Sequence, residues 1–452
     1  MKKYYLTSLI TIIFILTPVA AETAGMFLPF RGIFPMGRAG AVNTSARDPN
    51  ALTLNPALLA LAEGHQILVD ISFAALNLTF QRDPRTNRNN TKTQFEEVRN
   101  IAPGIVIPQV LFSTDFGTDT LALGAGIFPP YAAPSRFSPT GSQRYAIIDI
   151  SNNIIITQAI AFAYRPHPIV SIGAGVQNVT AILEGVGISS IYLGVLGEPE
   201  DPDLDSLIRA KASDWLTPSA NFGIWIQPLP FLETSLSFQL FADIKTKNGK
   251  YEAALPSTYI YEVSHLKGKN IDMELSLPWF IRWGLRYTHP RFDIELNAWF
   301  ERWSRHKTVE VIPHNIAVTD IPLVEDTEVE GFTLNRKAKD TFGLAIGSDI
   351  KIIPNLTLRT GFLYESGAAP DAYYSVFFAD NHKLAPTIGL SYEWNFIRFD
   401  FAFAHVHQLP KNLKNGTLKQ YNIVYPEGAN ITNNGKYKSY FDFIGIGLNF
   451  KI

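Results

Sequence analysis

The stretch Leu232–Lys245, LETSLSFQLFADIK, alternates between two kinds of side chain. Its even positions are mostly apolar, as at Leu236 and Phe238, and its odd positions are mostly polar, as at Glu233 and Ser235. A period of two is typical of a β-strand with one apolar and one polar face. Taken alone, this strand also fits a soluble antiparallel sandwich that has one wet face.

Similar alternation recurs along most of the chain, for example in Phe292–Glu301 and Ile397–Phe403. The longer runs reach about ten residues, which suits tilted strands that cross a bilayer, whereas sandwich strands average about half that length. Every backbone group in lipid needs a partner, so such strands are expected to close into a barrel with the polar face inward.

Short and long connections alternate between these strands. Tight segments such as Arg165–Pro168 and His289–Pro290 follow every second strand, and long polar segments fill the other gaps. This is typical of a bacterial outer-membrane barrel, which has short periplasmic turns and long extracellular loops. We therefore predict an all-β fold, a transmembrane antiparallel β-barrel of about 14 strands, over residues 65–452.

The first residues have the features of a secretion signal. Lys2 and Lys3 precede an apolar run, and Val19 and Ala21 are small residues at the positions that a signal peptidase requires. We predict a signal peptide over residues 1–21, in preference to an uncleaved anchoring helix.

The composition argues against several kinds of site. The chain has no cysteine, so it has no disulfide, thiolate nucleophile or cysteine-bound metal. A formal net charge of -2 argues against a broad nucleic-acid surface, and a mean hydropathy of +0.04 suits a wall with one apolar and one polar face. His405 and His407 share a strand face but show no carboxylate partner in the pattern, so we predict no metal site.

A different pattern, MGRAGAVNTSARDPNALTLNPALL, occupies Met36–Leu59, between the signal and the first strand. Gly37 and Gly40 permit tight turns, and Asn55 is an N-cap side chain before Pro56, which suits the first helical position. Two short capped turns are expected here, and they have to fit inside the barrel.

An ordered series of short motifs runs through the chain: GRAG at 37–40, Asn55-Pro56-Ala57, AYR at 163–165, SLPW at 276–279, Lys339-Asp340 before LAIG, NLTLRTG at 355–361, and His407. Together with the predicted barrel, this series resembles the FadL/TodX family of outer-membrane long-chain fatty-acid and hydrocarbon transporters. The resemblance spans nearly the whole mature chain.

The resemblance implies that residues 22–64 form a hatch, or plug, of short helices in the barrel lumen. The hatch residues that match the family are Gly37, Arg38, Gly40, Asn55, Pro56 and Ala57. We expect Arg38 and Asn55 to tie the hatch to inward-facing strand residues rather than to contact ligand.

The family kinks its third strand to make a side opening. The matching residues here are Phe128, Pro129, Pro130 and Tyr131, where two prolines remove two backbone donors from the wall. The alternative is that the strand ends at Phe128 and the prolines begin an outer loop.

Candidate ligand contacts also follow from the resemblance. Met26, Phe27 and Phe30 are expected to line an apolar pocket, and Arg336 or Lys337 to bind a carboxylate. The alternative for the two basic residues is a solvated loop. The end of the fifth strand has no basic residue where fatty-acid transporters carry one, which leaves a neutral hydrocarbon open.

The loop after the fifth strand begins with apolar residues and ends with acidic ones. Ile188, Ile191, Leu193 and Leu196 are expected to form an outer groove for initial capture of ligand. Glu198–Asp205 is expected to be solvated, with divalent-cation bridging to lipopolysaccharide as a minor possibility.

These observations predict a monomeric transporter in the bacterial outer membrane that takes up fatty acids, alkanes or aromatics by binding and lateral diffusion. It uses no cofactor, is not an enzyme, and has outer-membrane lipid and lipopolysaccharide, but no nucleic acid, as partners. A barrel accessory to protein secretion or assembly is the main alternative, and an outer-membrane hydrolase is another.

Overall fold

The computed structural model describes residues 30–86, 90–131, 134–194, 197–256, 261–320, 326–329, 331–422 and 429–452. The predicted signal peptide and the candidate residues Met26, Phe27 and Leu196 lie outside these ranges. Within them, no helix has both the length and the apolar character that crossing a membrane requires.

Fourteen antiparallel strands form the wall of a closed barrel, which confirms the predicted fold class. Each strand pairs with the next along the chain, and the last strand returns to pair with the first. The wall strands β1–β14 are His65–Arg82, Ile105–Thr114, Leu121–Phe128, Ile154–His167, Val170–Ser190, Asp205–Leu229, Leu232–Gln239, Phe280–His289, Phe292–Glu301, Thr341–Ile353, Leu356–Glu365, Lys383–Trp394, Ile397–Leu413 and Gly435–Lys451.

Shorter strands and helices accompany the fourteen wall strands. The additional strands are Arg85–Thr86, Lys92–Thr93, Val98–Arg99, Ala242–Lys245, Gly249–Ala254, His265–Lys267, Asn270–Leu277, Thr308–His314, Ala317–Thr319, Thr327–Glu328 and Phe332–Asn335. Within the described residues, the one-turn α-helices are Ile33–Gly37 and Ala51–Leu54, and the 3-10 helices are Pro56–Leu61, Pro202–Leu204, Trp303–Arg305 and Asp371–Tyr373.

The alternation in the sequence corresponds to the two faces of the wall. In β7, Glu233 and Ser235 are buried and face the lumen, whereas Leu236 is 42% exposed on the outside. Aromatic side chains such as Phe401 are exposed on the outer face of β13. An apolar outside and a polar inside are what a barrel in lipid requires.

The connections divide the barrel into a turn side, with tight turns, and a loop side, with long segments. Residues 30–64, which we call the plug, fill the turn-side half of the lumen. The helix Ile33–Gly37 contacts β11–β14 and β1, and the 3-10 helix Pro56–Leu61 contacts β3–β6. The plug therefore reaches opposite parts of the wall.

The alternation in the sequence predicts wall strands near residues 120–131, 169–184, 217–227 and 231–245, and all four have different bounds in the structure. β5 continues to Ser190, and β7 ends at Gln239. A third strand running to residue 131 was wrong, because β3 ends at Phe128. A sixth strand beginning near residue 217 was also wrong, because β6 begins at Asp205. β5 and β6 remain paired from Val170 with Ile226 to Ser190 with Asp205, so they form a ribbon that continues on the loop side.

Candidate functional site

Arg38 holds the plug against the wall through carboxylates from two strands. Its guanidinium donates to Asp293 at 2.7 Å and to Asp349 at 2.5 Å, and Glu295 lies 3.6 Å away. Its Nε also donates to the carbonyl of Ala41 at 3.0 Å. Because Arg38 is fully buried, its charge is compensated only by such neighbours.

Asn55 fixes the second half of the plug. Its Oδ1 accepts the backbone N–H of Ala57 at 3.2 Å, which caps Pro56–Leu61, and its Nδ2 donates to the Asn43 carbonyl at 3.0 Å. Asn55 lies against Gly223 of β6, where a Cβ would come within 1.8 Å of the Asn55 Oδ1. The glycine in the wall therefore makes room for the capping side chain.

The remaining predicted hatch residues lie in the same interface. Gly37 packs on Gly389 of β12, and the Ser171 hydroxyl of β5 donates to the Ala57 carbonyl at 2.6 Å. Gly40 has a φ of +79°, a conformation that favours glycine. The structure thus brings the hatch residues together at the wall, and their role in gating remains a prediction.

Two further ion pairs at the plug were missed by the sequence analysis. Arg398 donates to Asp48 of the plug at 2.5 Å, and the neighbouring Arg359 donates to Asp400 at 2.9 Å. The ring of Phe34 lies 4.6 Å from the Arg359 guanidinium. Charged residues at inward-facing positions of the alternating strands were the signal that could have found these contacts.

A cavity of about 400 Å³ lies on the loop side of the plug. Its lining is mostly apolar and comes from several parts of the wall, including Phe80 of β1, Leu183 of β5 and Tyr437 of β14. A Cβ on Gly185 or Gly187 of β5 would meet no atom within 4 Å, so these two positions face open space. The volume lies within the range of roughly 300–1,000 Å³ that is usual for small-molecule pockets.

Arg336 is the predicted ligand-binding residue that lines this cavity. Its guanidinium carbon lies 3.8 Å from the ring centre of Phe377 and 4.8 Å from that of Phe378. Its Nη1 donates to the Phe377 carbonyl at 2.9 Å. Lys337 is instead exposed, with its Nζ 5.2 Å from the ring centre of Tyr373.

Of the predicted outer-groove residues, Ile188 is the one that lines the cavity within the described residues. Ile191 is buried and donates its N–H to the Leu204 carbonyl at 2.9 Å, and Leu193 is half-buried. These three residues therefore pack into the loop-side end of the barrel. Initial capture of a ligand by them stays a prediction.

The expectation that the acidic segment Glu198–Asp205 is solvated was wrong for two of its carboxylates. Glu200 forms ion pairs of 2.7 Å with both Arg82 and Arg85. Asp205 pairs with Arg144 at 2.7 Å. Arginines from distant segments bury these carboxylates, and nothing in the local sequence indicates such partners.

The wall is interrupted beside β3. β2 pairs with β3 only from Val110 to Thr114, so Ile105–Gln109 has no wall strand on that edge within the described residues. After Phe128 the chain leaves the wall, and Pro129, Pro130 and Tyr131 are buried, with the Tyr131 ring centre 6.4 Å from that of Trp303. The strand thus ends at Phe128, as the alternative held, but the two prolines lie against plug residues inside the barrel, and a side opening here stays a prediction.

Phe30, the first described residue of the plug, lies beside this interruption and not in the cavity. A small void of about 20 Å³ is lined by Phe30, Ile107 of β2 and Pro129. The ring of Phe30 packs edge-on against Phe443 of β14, with 5.3 Å between ring centres.

No group of three or more His, Asp or Glu side chains in the described ranges is arranged to hold a metal ion. His405 has a carboxylate partner that the sequence pattern did not reveal, since its Nδ1 lies 2.7 Å from the Asp442 Oδ1. Both residues lie on the outer face of the wall.

Comparison with known proteins supports the resemblance noted in the sequence. A sequence model of the family described as outer membrane protein transport protein (OMPP1/FadL/TodX) matches residues 15–440. The 47 kDa outer membrane protein of Pasteurella multocida (strain Pm70) is 24% identical over 415 residues, covering 87% of this chain and 88% of that protein.

Solved structures share the fold at low sequence identity. A FadL homologue from Pseudomonas aeruginosa superposes with a TM-score of 0.77 at 15% identity, covering 95% of this chain and 100% of that one. The toluene transporter TodX from P. putida gives a TM-score of 0.65 at 14% identity, covering 94% of this chain and 99% of that one.

Proposed function

We propose that this chain, which belongs to the OMPP1/FadL/TodX family of outer membrane transport proteins, binds a carboxylate-bearing lipophile above the plug and releases it sideways. Family membership makes the chain an outer-membrane protein that transports hydrophobic compounds, and confirms the prediction of a transporter and not an enzyme. It also favours transport over a role as a secretion accessory.

The observation that carries the proposal is the apolar cavity that contains Arg336. An acyl chain gains about 0.8 kcal/mol for each methylene that it buries, so the apolar lining favours a long aliphatic ligand. The guanidinium of Arg336 is fixed between Phe377 and Phe378 and suits a carboxylate, because charge-assisted hydrogen bonds to carboxylates are strong.

A neutral aromatic hydrocarbon is the second candidate ligand. Two of the matching structures are toluene transporters, from Ralstonia pickettii and P. putida. The cavity offers the rings of Phe377 and Phe378, against which an aromatic ligand packs well.

The proposed exit is the interruption beside β3. Ligand would move from the cavity past Phe30 to the unpaired edge of Ile105–Gln109, which avoids a water-filled path through the plug. Phe30 and Pro129 line one small void at this place, so a shift of the first plug residues would widen it. Lateral release keeps an apolar ligand out of water at every step.

Filling the cavity tests the binding site. Gly187→Leu places a side chain into open space without a clash, so we expect weaker binding of radiolabelled palmitate to the purified protein and slower uptake by cells. Ala174→Leu on the outer face of the same strand is the matched control. Unchanged binding by the Gly187→Leu protein would remove the cavity from consideration.

Closing the wall tests the exit separately. Replacing Pro129 and Pro130 by valine restores two backbone donors next to the free edge of β2, so we expect slower uptake with palmitate binding retained. Pro386→Val, on the outer face of β12, controls for loss of a wall proline. Normal uptake by the double variant would overturn lateral release while leaving the binding site intact.

A further inference from the structure

The outer face of β13 and β14 changes character toward the loop side. From the turn side upward, the outward residues of β13 are apolar as far as Phe403, and those of β14 as far as Ile444. His405 and Asp442 follow at the next outward positions and pair across the two strands at 2.7 Å. This pair marks the upper edge of the apolar belt.

Above that edge, the same face carries aromatic and basic groups. His407 and Tyr440 are directly opposite each other on the two strands, and the ring centre of His405 lies 5.5 Å from that of Tyr440. The next outward residues of β14 are Lys438 and Lys436, both exposed. We call Lys436, Lys438, Tyr440 and His407 the basic face.

The two lysines give the basic face an excess of positive charge over its nearby carboxylates. Asp83 at the end of β1 is paired with Lys414 at 2.8 Å, and Asp442 contacts the ring of His405, which offsets its charge only when the ring is protonated. Across the described residues, no carboxylate lies within ion-pair distance of Lys436 or Lys438. The two exposed ammonium groups therefore have no ion-pair partner among the described residues and can meet the surrounding membrane.

The depth of this face determines what it meets. Lys438 lies four residues beyond Asp442 along β14, about 13 Å along the strand and about 10 Å in height for a strand with the usual tilt of a membrane barrel. The lysines thus lie above the hydrocarbon and at the level of lipid headgroups. In the outer leaflet of a bacterial outer membrane these headgroups are phosphorylated sugars.

We propose that the basic face binds the phosphate groups of a phosphorylated glycolipid in the outer leaflet. The lysines supply charge, and Tyr440 and His407 supply ring surfaces and polar tips at the boundary between apolar chain and wet headgroup. This assigns glycolipid recognition to the outer wall and not to the acidic loop, since Glu200 and Asp205 of that loop are ion-paired with arginines.

The test titrates the full-length, detergent-solubilised protein with lipid A and compares Lys436→Gln/Lys438→Gln with the wild type. Each lysine near a membrane surface contributes a similar attraction to anionic lipid. Loss of both lysines should therefore weaken binding of lipid A by the double variant roughly 30-fold. Lys351→Gln/Lys451→Gln is the matched control, because both of these lysines are exposed on the turn side. It should bind like the wild type.

Two outcomes overturn the proposal. Equal binding of lipid A by the wild type and the Lys436→Gln/Lys438→Gln protein would show that the face is not the site. Equal binding of dephosphorylated lipid A, or of phosphatidylglycerol vesicles, by the wild type would show that it does not recognise glycolipid phosphate. Palmitate uptake should be unchanged in the double variant, so the result is independent of the transport proposal.

Discussion

On the turn side of the lumen, the plug meets the wall through buried ions, such as Arg38 with Asp293 and Asp349. On the loop side, a cavity with mostly apolar walls contains Arg336 between two phenyl rings. Removing one partner of a buried ion pair leaves a charge uncompensated, whereas an apolar wall loses only contact area when it changes. The plug is therefore positioned by particular partners, whereas we propose that the cavity selects its ligand by size and apolar character, with Arg336 as its polar contact.

Of the substitutions considered, we expect Arg38→Met to have the largest effect, because it removes the cation of the buried turn-side contacts. The substitution leaves Asp293, Glu295 and Asp349 close together without the guanidinium, and we expect a loss of about 3–5 kcal/mol in plug stability. Limited proteolysis of the plug and the swelling rate of proteoliposomes in small sugars would measure the loosening.

The control for Arg38→Met is Arg291→Met, which removes an exposed arginine in the turn between β8 and β9. It should leave plug cleavage and sugar permeability unchanged. Wild-type behaviour of the Arg38→Met protein would mean that the buried carboxylates do not need Arg38, and the contrast between the two halves would lose its basis.

Arg336→Met tests the arginine that lines the cavity. We expect affinity for palmitate to fall by about 1.5–3 kcal/mol, the value of a hydrogen bond to a charged group, while affinity for a neutral alkane is kept. Isothermal titration with both ligands measures the difference. Lys337→Met is the control, because Lys337 does not line the cavity.

Equal losses for palmitate and alkane in the Arg336→Met protein would give Arg336 a packing role only. Unchanged affinity for both palmitate and the alkane would favour a neutral hydrocarbon as the ligand. Either result would mean that the cavity binds its ligand through apolar contact area alone.

Asn55→Ala tests an uncharged hydrogen-bonding side chain of the plug. The substitution removes the cap on the Ala57 N–H and the bond to the Asn43 carbonyl, so we expect a loss of about 1–2 kcal/mol in plug stability. Proteolysis of the plug should accelerate less than in Arg38→Met. Asn412→Ala, at an exposed position, is the control, and equal cleavage of both proteins would exclude Asn55 as a fixing contact.

The sequence predicted the wall well because lipid enforces alternation. In Leu232–Lys245, the residues at odd positions from Glu233 to Gln239 face the lumen, as the period of two requires. The short turns and the strand number followed from the same rule. The sequence placed the end of the third strand too late because the apolar run continues through Pro129, Pro130 and Tyr131 after the chain has left the wall.

The contacts that position the plug were harder to predict. Arg38 and its partner Asp293 are separated by 255 residues, and period alone does not say which inward carboxylates meet which plug residue. The resemblance predicted an apolar pocket of this kind. It also named Arg336 and Lys337 as the two basic residues near the pocket, and Arg336 is the one that lines the cavity. The glycines of the cavity at 185 and 187 were not predicted, because open space beside a glycine depends on the whole barrel.

The ion pairs of Glu200 offer the smallest expected effect, since they fix a loop beside the cavity and not the fold. Burial alone would raise the pKa of Glu200, but its hydrogen bonds and charge contacts with Arg82 and Arg85 outweigh this and lower the pKa. A lowered pKa means that the stabilisation is present above the ordinary value of 4.5 and is lost as the pH falls through the folded value.

We therefore expect protease cleavage within residues 191–205 to be slow at neutral pH and to accelerate well below pH 4.5 in the wild type. Glu200→Gln should be cleaved faster at neutral pH and respond less to acid, because it lacks the titrating group. Glu198→Gln should behave like the wild type. It removes a neighbouring carboxylate that has no arginine partner among the described residues. If Glu200→Gln responds to acid as the wild type does, another group causes the pH dependence, and the ion pairs of Glu200 do not fix this loop.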